Sequence, residues 1–122
     1  MLTFLRNFIG KIIILSDKLT QPKSLERSPE RQRQVDLETS QFILYHFQAC
    51  PFCIKVRRVI KRLGLKIEMR DAQNNPQYKE ELIKGGGEYQ TPCLRITKSD
   101  GSVQWMYESS DIVKFLEEPY RN

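Results

Sequence analysis

The chain has 122 residues, 39% hydrophobic and 29% charged, which fits one compact globular domain and excludes two of ordinary size. Twenty basic residues stand against fifteen acidic ones, for a net charge of +5. No Lys/Arg run exceeds two residues and no nucleic-acid-reading motif is present, so the surplus charge suits anionic small molecules or a membrane surface and no nucleic acid is expected.

Residues 1–19 carry Leu2, Leu5, Phe8, Ile9, Ile12, Ile13, Leu15 and Leu19 at intervals that make one apolar stripe on a helix. Thr3, Arg6, Asn7, Lys11, Asp17 and Lys18 fall largely opposite. The longest unbroken apolar run, Ile12 to Leu15, is far short of the roughly 20 residues of a membrane span. Lys11 also interrupts the apolar region in a way that suits a signal peptide poorly. Two readings remain open. The helix packs on its own domain or on a second copy, or it lies in a membrane interface with Arg6, Lys11 and Lys18 toward anionic headgroups.

Residues 20–40 are charged, contain Pro22 and Pro29, and have almost no large apolar residues. They are expected to form a charged flexible linker, partly helical around Leu25 to Val35. From Gln41 the texture changes, and 41–122 reads as the globular domain. Phe42 to Phe47 is a strand candidate. Pro51 to Leu63 is an amphipathic helix closed by Gly64, and Leu65 to Arg70 alternates as a second strand. Asn75-Pro76 opens a helix to about Lys84 that ends in Gly85 to Gly87. Cys93 to Thr97, a turn at Lys98 to Gly101, and Val103 to Tyr107 make a hairpin. The last helix runs from Ser109 to Glu117, with Ser109 or Ser110 as its N-cap. This β-α-β-α-β-β-α order implies an α/β domain with a mixed four-stranded sheet and helices on both faces.

The three cysteines, an odd number with two in one C-x-x-C, argue against a secreted disulfide scaffold and suit a reducing, cytoplasmic compartment. Cys50-Pro51-Phe52-Cys53 straddles the junction between the first strand and the following helix. Unpaired N–H groups at a helix start favour an anionic sulfur, so Cys50 is expected to be the reactive thiolate. Pro51 costs nothing in the first turn, where its missing N–H would be unpaired anyway. Cys53 falls one turn further in, on the same face, and should be buried and less ionised. That asymmetry makes Cys50 the attacking thiol and Cys53 the resolving one. A zinc site completed by His46 and Cys93 is the competing use of the pair, but a second paired motif is missing, and no metal is expected. Cys93 is either a third redox thiol or a buried strand cysteine, and its strand position favours burial.

C-P-F-C after an aromatic strand resembles the C-P-[YF]-C site of dithiol glutaredoxins. Gln90-Thr91-Pro92 resembles the element that places a cis-proline beside the active cysteine in thioredoxin-fold proteins. Glu108-Ser109-Ser110-Asp111-Ile112 is similar to the E-S-x-A-I segment of the glutathione transferase N-terminal domain and to the G-G-x-D-D segment of glutaredoxins. A complete glutathione transferase adds an all-helical domain after this one. The resemblance, over about Gln41 to Tyr120, implies a thioredoxin-like fold and a glutathione site formed by Gln48, Phe52, Thr91, Pro92, Glu108, Ser109, Ser110 and Asp111. It implies glutathione as reductant and disulfide-containing proteins as clients. Many glutaredoxins have a lysine where this chain has Gln48, and Lys55 or Arg57 is the nearest substitute charge. The alternative function is a module that binds glutathione or a [2Fe–2S] cluster without efficient turnover, tethered to a membrane by residues 1–19.

Overall fold

β-Branched, aromatic and aliphatic runs build four strands, β1 (Phe42–His46), β2 (Glu68–Asp71), β3 (Cys93–Thr97) and β4 (Val103–Met106). They pair in the order β2-β1-β3-β4. β1 runs parallel to β2, with Leu44 opposite Met69, and antiparallel to β3, with Leu44 opposite Leu94. β3 and β4 form the antiparallel hairpin. The helices are α1 (Leu2–Leu19), α2 (Pro29–Thr39), α3 (Pro51–Arg62), α4 (Pro76–Glu81) and α5 (Ser109–Tyr120). The computed structural model describes residues 2–19 and 22–121, the side chains at 2, 17 and 18 excepted. Met1, Thr20, Gln21 and Asn122, which the expected segments include, lie outside the described residues, as does the Lys18 side chain expected to face headgroups.

Strand alternation divides the core. Phe42 and Leu44 of β1 and Leu94 and Ile96 of β3 pack with Val56 and Ile60 of α3 and with Ile112 and Leu116 of α5. The other face buries Tyr45 and Cys93 with Ala72 and Leu82. The sheet thus has helices on both sides, as the stripes predict.

Some boundaries differ from the sequence reading. Leu65 and Ile67 are buried as expected, but the segment pairs with β1 only from Ile43 opposite Glu68. Burial and strand pairing are separate properties, and alternation reports the first. The helix beginning at Pro76 passes into a π-helical turn, Leu82–Gly86, and ends on Gly87 at φ +90°. Gly85 and Gly86 do more than end a helix: a Cβ on either would run into the ring of Trp105 or the hydroxyl of Tyr107. The N-cap of α5 is Glu108, with Ser109 as the first helical residue.

The largest difference falls in the segment expected to be a linker. Ser28 caps α2 by accepting from the Arg31 N–H at 3.3 Å, and Pro29 follows it at N1. Val35 is fully buried in the main core. Arg27 donates to the Tyr120 carbonyl, the Gln32 amide to the Gly64 carbonyl at 3.1 Å, and the Leu25 N–H to the Arg62 carbonyl at 2.8 Å. Residues 25–39 therefore belong to the packed body and cover the ends of α3 and α5. Their composition hid this because α2 is held mainly by polar side chains bonding to backbone carbonyls, which leaves little hydrophobic periodicity.

Candidate active site

The Cys50-x-x-Cys53 pair sits where β1 hands over to α3. The Cys50 N–H bonds back to the Phe47 carbonyl at 3.3 Å, and the Cys50 carbonyl accepts from the Ile54 N–H at 2.9 Å. Cys50 is the N-cap of α3, in extended backbone geometry, and its side chain makes no capping hydrogen bond. It is partly exposed, whereas Cys53, one turn on, is buried. Burial pushes the Cys53 thiol up to about 11, although a hydrogen bond with Thr91 and another from the Phe47 N–H pull it partly back. The latter reaches the sulfur at 3.4 Å. Cys53 therefore waits as a protonated thiol beside an accessible Cys50.

The loop before Cys50 is held from α3. The Arg57 guanidinium donates to the carbonyls of Phe47 at 3.1 Å and Gln48 at 2.7 Å, and contacts His46 Nδ1 at 3.0 Å. Arginine only donates, so Nδ1 accepts and the imidazole proton sits on Nε2. Burial first, and the Arg57 charge second, push His46 down to about 4. Arg57 thus acts as a clamp on the loop backbone. Lys55, the other candidate charge, lines a groove of about 510 Å³ with Pro51 and Arg58.

Two further grooves flank the start of α3. One, of about 130 Å³, is lined by Phe52, Gln90, Thr91, Pro92, Tyr107, Glu108 and Ser109. The Thr91–Pro92 peptide is cis. The loop and helix start thus bring together five of the residues expected to hold glutathione: Phe52, Thr91, Pro92, Glu108 and Ser109. Ser110 and Asp111 are exposed on the first turn of α5 and do not line it. Gln48 lies in the second groove, of about 430 Å³, with Cys50, Asn74 and the α1 residues Arg6, Gly10 and Lys11.

Sequence reasoning missed two parts of this site. Tyr107 holds the loop that leads to Gln90, accepting from the Glu88 N–H at 3.2 Å and donating to the Glu88 carbonyl at 3.0 Å. The inner face of α1 forms a wall beside Cys50, and its signal was Gly10, an isolated glycine inside a helical pattern. A Cβ placed on Gly10 would lie 3.4 Å from the Cys50 neighbour Ala49.

The zinc arrangement does not form. His46 Nδ1 is taken by Arg57, Cys93 belongs to the core on the opposite sheet face, and no group of three potential metal-ligating His, Cys, Asp or Glu residues occurs among the described residues. Burial pushes the Cys93 thiol up to about 12, against a hydrogen bond with Tyr107 that lowers it. Cys93 is the buried strand cysteine that its position predicted.

Residues 44–122 match the family described as glutathione S-transferase, N-terminal domain. Among solved structures the chain is similar to a wheat glutaredoxin at 14% identity, covering 79% of this chain and 91% of that one with a TM-score of 0.50. It is also similar to a glutaredoxin from Brucella melitensis at 20% identity, covering 66% and 82% with a TM-score of 0.44. No curated protein matches it. Because the matched stretch takes in most of β1, the other three strands, both cysteines of the pair and the small groove, the chain belongs to the glutathione S-transferase N-terminal domain family and has the thioredoxin-like fold of glutaredoxins.

Proposed function

We propose that this protein is a glutathione-dependent thiol–disulfide oxidoreductase of the glutaredoxin type, acting on protein or glutathione mixed disulfides. The observation that carries the reading is the asymmetry of the cysteine pair, an accessible Cys50 capping α3 and a buried, protonated Cys53 beside it.

The positive pole of α3 and its unpaired N–H groups favour negative charge at the Cys50 sulfur. The Cys50 thiolate attacks one sulfur of a client disulfide. A bond forms between Cys50 and that sulfur, the original S–S bond breaks, and the departing thiolate takes a proton from water. Cys53 then loses its proton and displaces the client thiolate, leaving a Cys50–Cys53 disulfide. Two glutathione thiols reduce that bond in turn, supplying two electrons and leaving as glutathione disulfide. Alternatively, a glutathione thiolate resolves the mixed disulfide directly.

Glutathione enters as a cosubstrate, and the small groove offers it suitable partners. The γ-glutamyl carboxylate would be held by the N–H groups at the start of α5 around Ser109, and Glu108 would take its ammonium. The backbone at Thr91, ahead of the cis Pro92, would pair with the extended tripeptide. Cys50→Ser is expected to abolish glutathione-dependent reduction of hydroxyethyl disulfide, whereas Cys53→Ser retains a monothiol activity. Full activity in Cys50→Ser would overturn the assignment.

A further inference from the structure

The orientation of α1 is opposite to what a core-packing amphipathic helix would adopt. Its side toward the domain carries Arg6, Asn7, Gly10, Lys11 and Ile14, which line the Cys50 groove. Its other side presents Phe4, Leu5, Phe8, Ile12, Leu15 and Leu19 to solvent, from about half exposed at Ile12 (48%) to 77% exposed at Leu19. At about 100° per residue these positions, with Ile9 at 47% exposure, span an arc of about 140°. Lys11 flanks one edge of that arc and Arg6 the other. No helix among the described residues is long and apolar enough to cross a membrane.

We propose that the outward face of α1 binds an anionic lipid bilayer, lying flat in its interface and holding the Cys50 groove beside the membrane surface. Three features favour a bilayer over a second copy of the chain. The arc is wider than the narrow seam through which two helices pair. Cations bracket it on both sides, where their aliphatic stems can lie along the apolar face while their charges reach headgroups. The helix has Arg6, Lys11 and Lys18 against the single acidic residue Asp17, within a chain of net charge +5. A two-fold pairing of such helices would bring like charges together. A phosphate surface neutralises them.

The test is sedimentation of the full chain with vesicles of phosphatidylcholine containing a minority of phosphatidylglycerol, compared with phosphatidylcholine alone. Binding to the anionic vesicles should exceed binding to the neutral ones, and added salt should reduce it. Phe8→Glu with Ile12→Glu should lower partition by about tenfold or more, since charge replaces apolar contact, and leave thermal unfolding in vesicle-free buffer unchanged. Arg6→Gln with Lys11→Gln keeps the apolar face intact and should bring anionic binding down toward the neutral level. Failure of the wild-type chain to sediment, or equal sedimentation of the Phe8/Ile12 variant, would overturn the proposal. So would a vesicle-free dimer that the same variant converts to monomer, because a second copy would then be the occupant. None of these readouts depends on disulfide chemistry.

Discussion

At the level of single residues, burial sorts the three thiols into distinct chemical classes. Cys53 and Cys93 are both buried, and burial holds them protonated far above neutrality. Iodoacetamide at neutral pH is therefore expected to add one carbamidomethyl group, on Cys50, with the other two sites reacting only after denaturation; mass spectrometry of the peptides reads this directly. Adducts on Cys93 in the native chain would contradict its place in the core. His46 carries a different pH dependence. Its folded-state value is about 4 against an ordinary 6.5, so the neutral ring stabilises the fold fully above about pH 6.5, and that contribution is lost as pH falls through about 4. The linkage is on the order of 3 kcal/mol. Urea denaturation at several pH values should show this loss in the native chain and a flatter profile between pH 6.5 and 4 in His46→Gln. Neither the clamp from Arg57 nor the acceptor role of His46 Nδ1 was legible in the sequence. Both depend on a fold that brings α3 back against the loop it follows.

Among the elements, those with strong periodicity were legible and those held by polar contacts were not. β1, α3, β3 and α5 were found from their apolar spacing, and the C-P-F-C junction followed once β1 and α3 were in place. α2 was legible only as a partly helical stretch of a linker around Leu25 to Val35, and its packing was not, because Val35 and Thr39 are its only buried residues. Its written signal was the short capping sequence Ser28-Pro29-Glu30 rather than any stripe. Val35→Ala is expected to destabilise the whole domain by about 1–3 kcal/mol, measured as a lower urea midpoint; a surface linker residue would leave that midpoint in place. The triple glycine shows the reverse case, where a punctuation signal was read correctly but its reason was incomplete. Gly86→Ala forces Tyr107 away and breaks its two hydrogen bonds with Glu88. The expected cost is about 1–3 kcal/mol, accompanied by weaker glutathione binding, because Tyr107 and Gln90 line the same groove.

For the molecule as a whole, the sheet and its flanking helices were readable in outline, but the relation of residues 25–39 to the rest was not. That relation is set by contacts distant in sequence: Arg27 with Tyr120 and Gln32 with Gly64. A chain beginning at Gln41 should thus unfold at a lower temperature than the full chain. The approach of Gly10 to Ala49 carries a last consequence, because the absence of a side chain there fixes how closely α1 shelters the Cys50 sulfur. A bulky residue at position 10 would act as a shim, widening the entrance on that side alone. Reduction of large folded clients should then quicken relative to that of a small disulfide, making one glycine a gauge of the size of partner admitted.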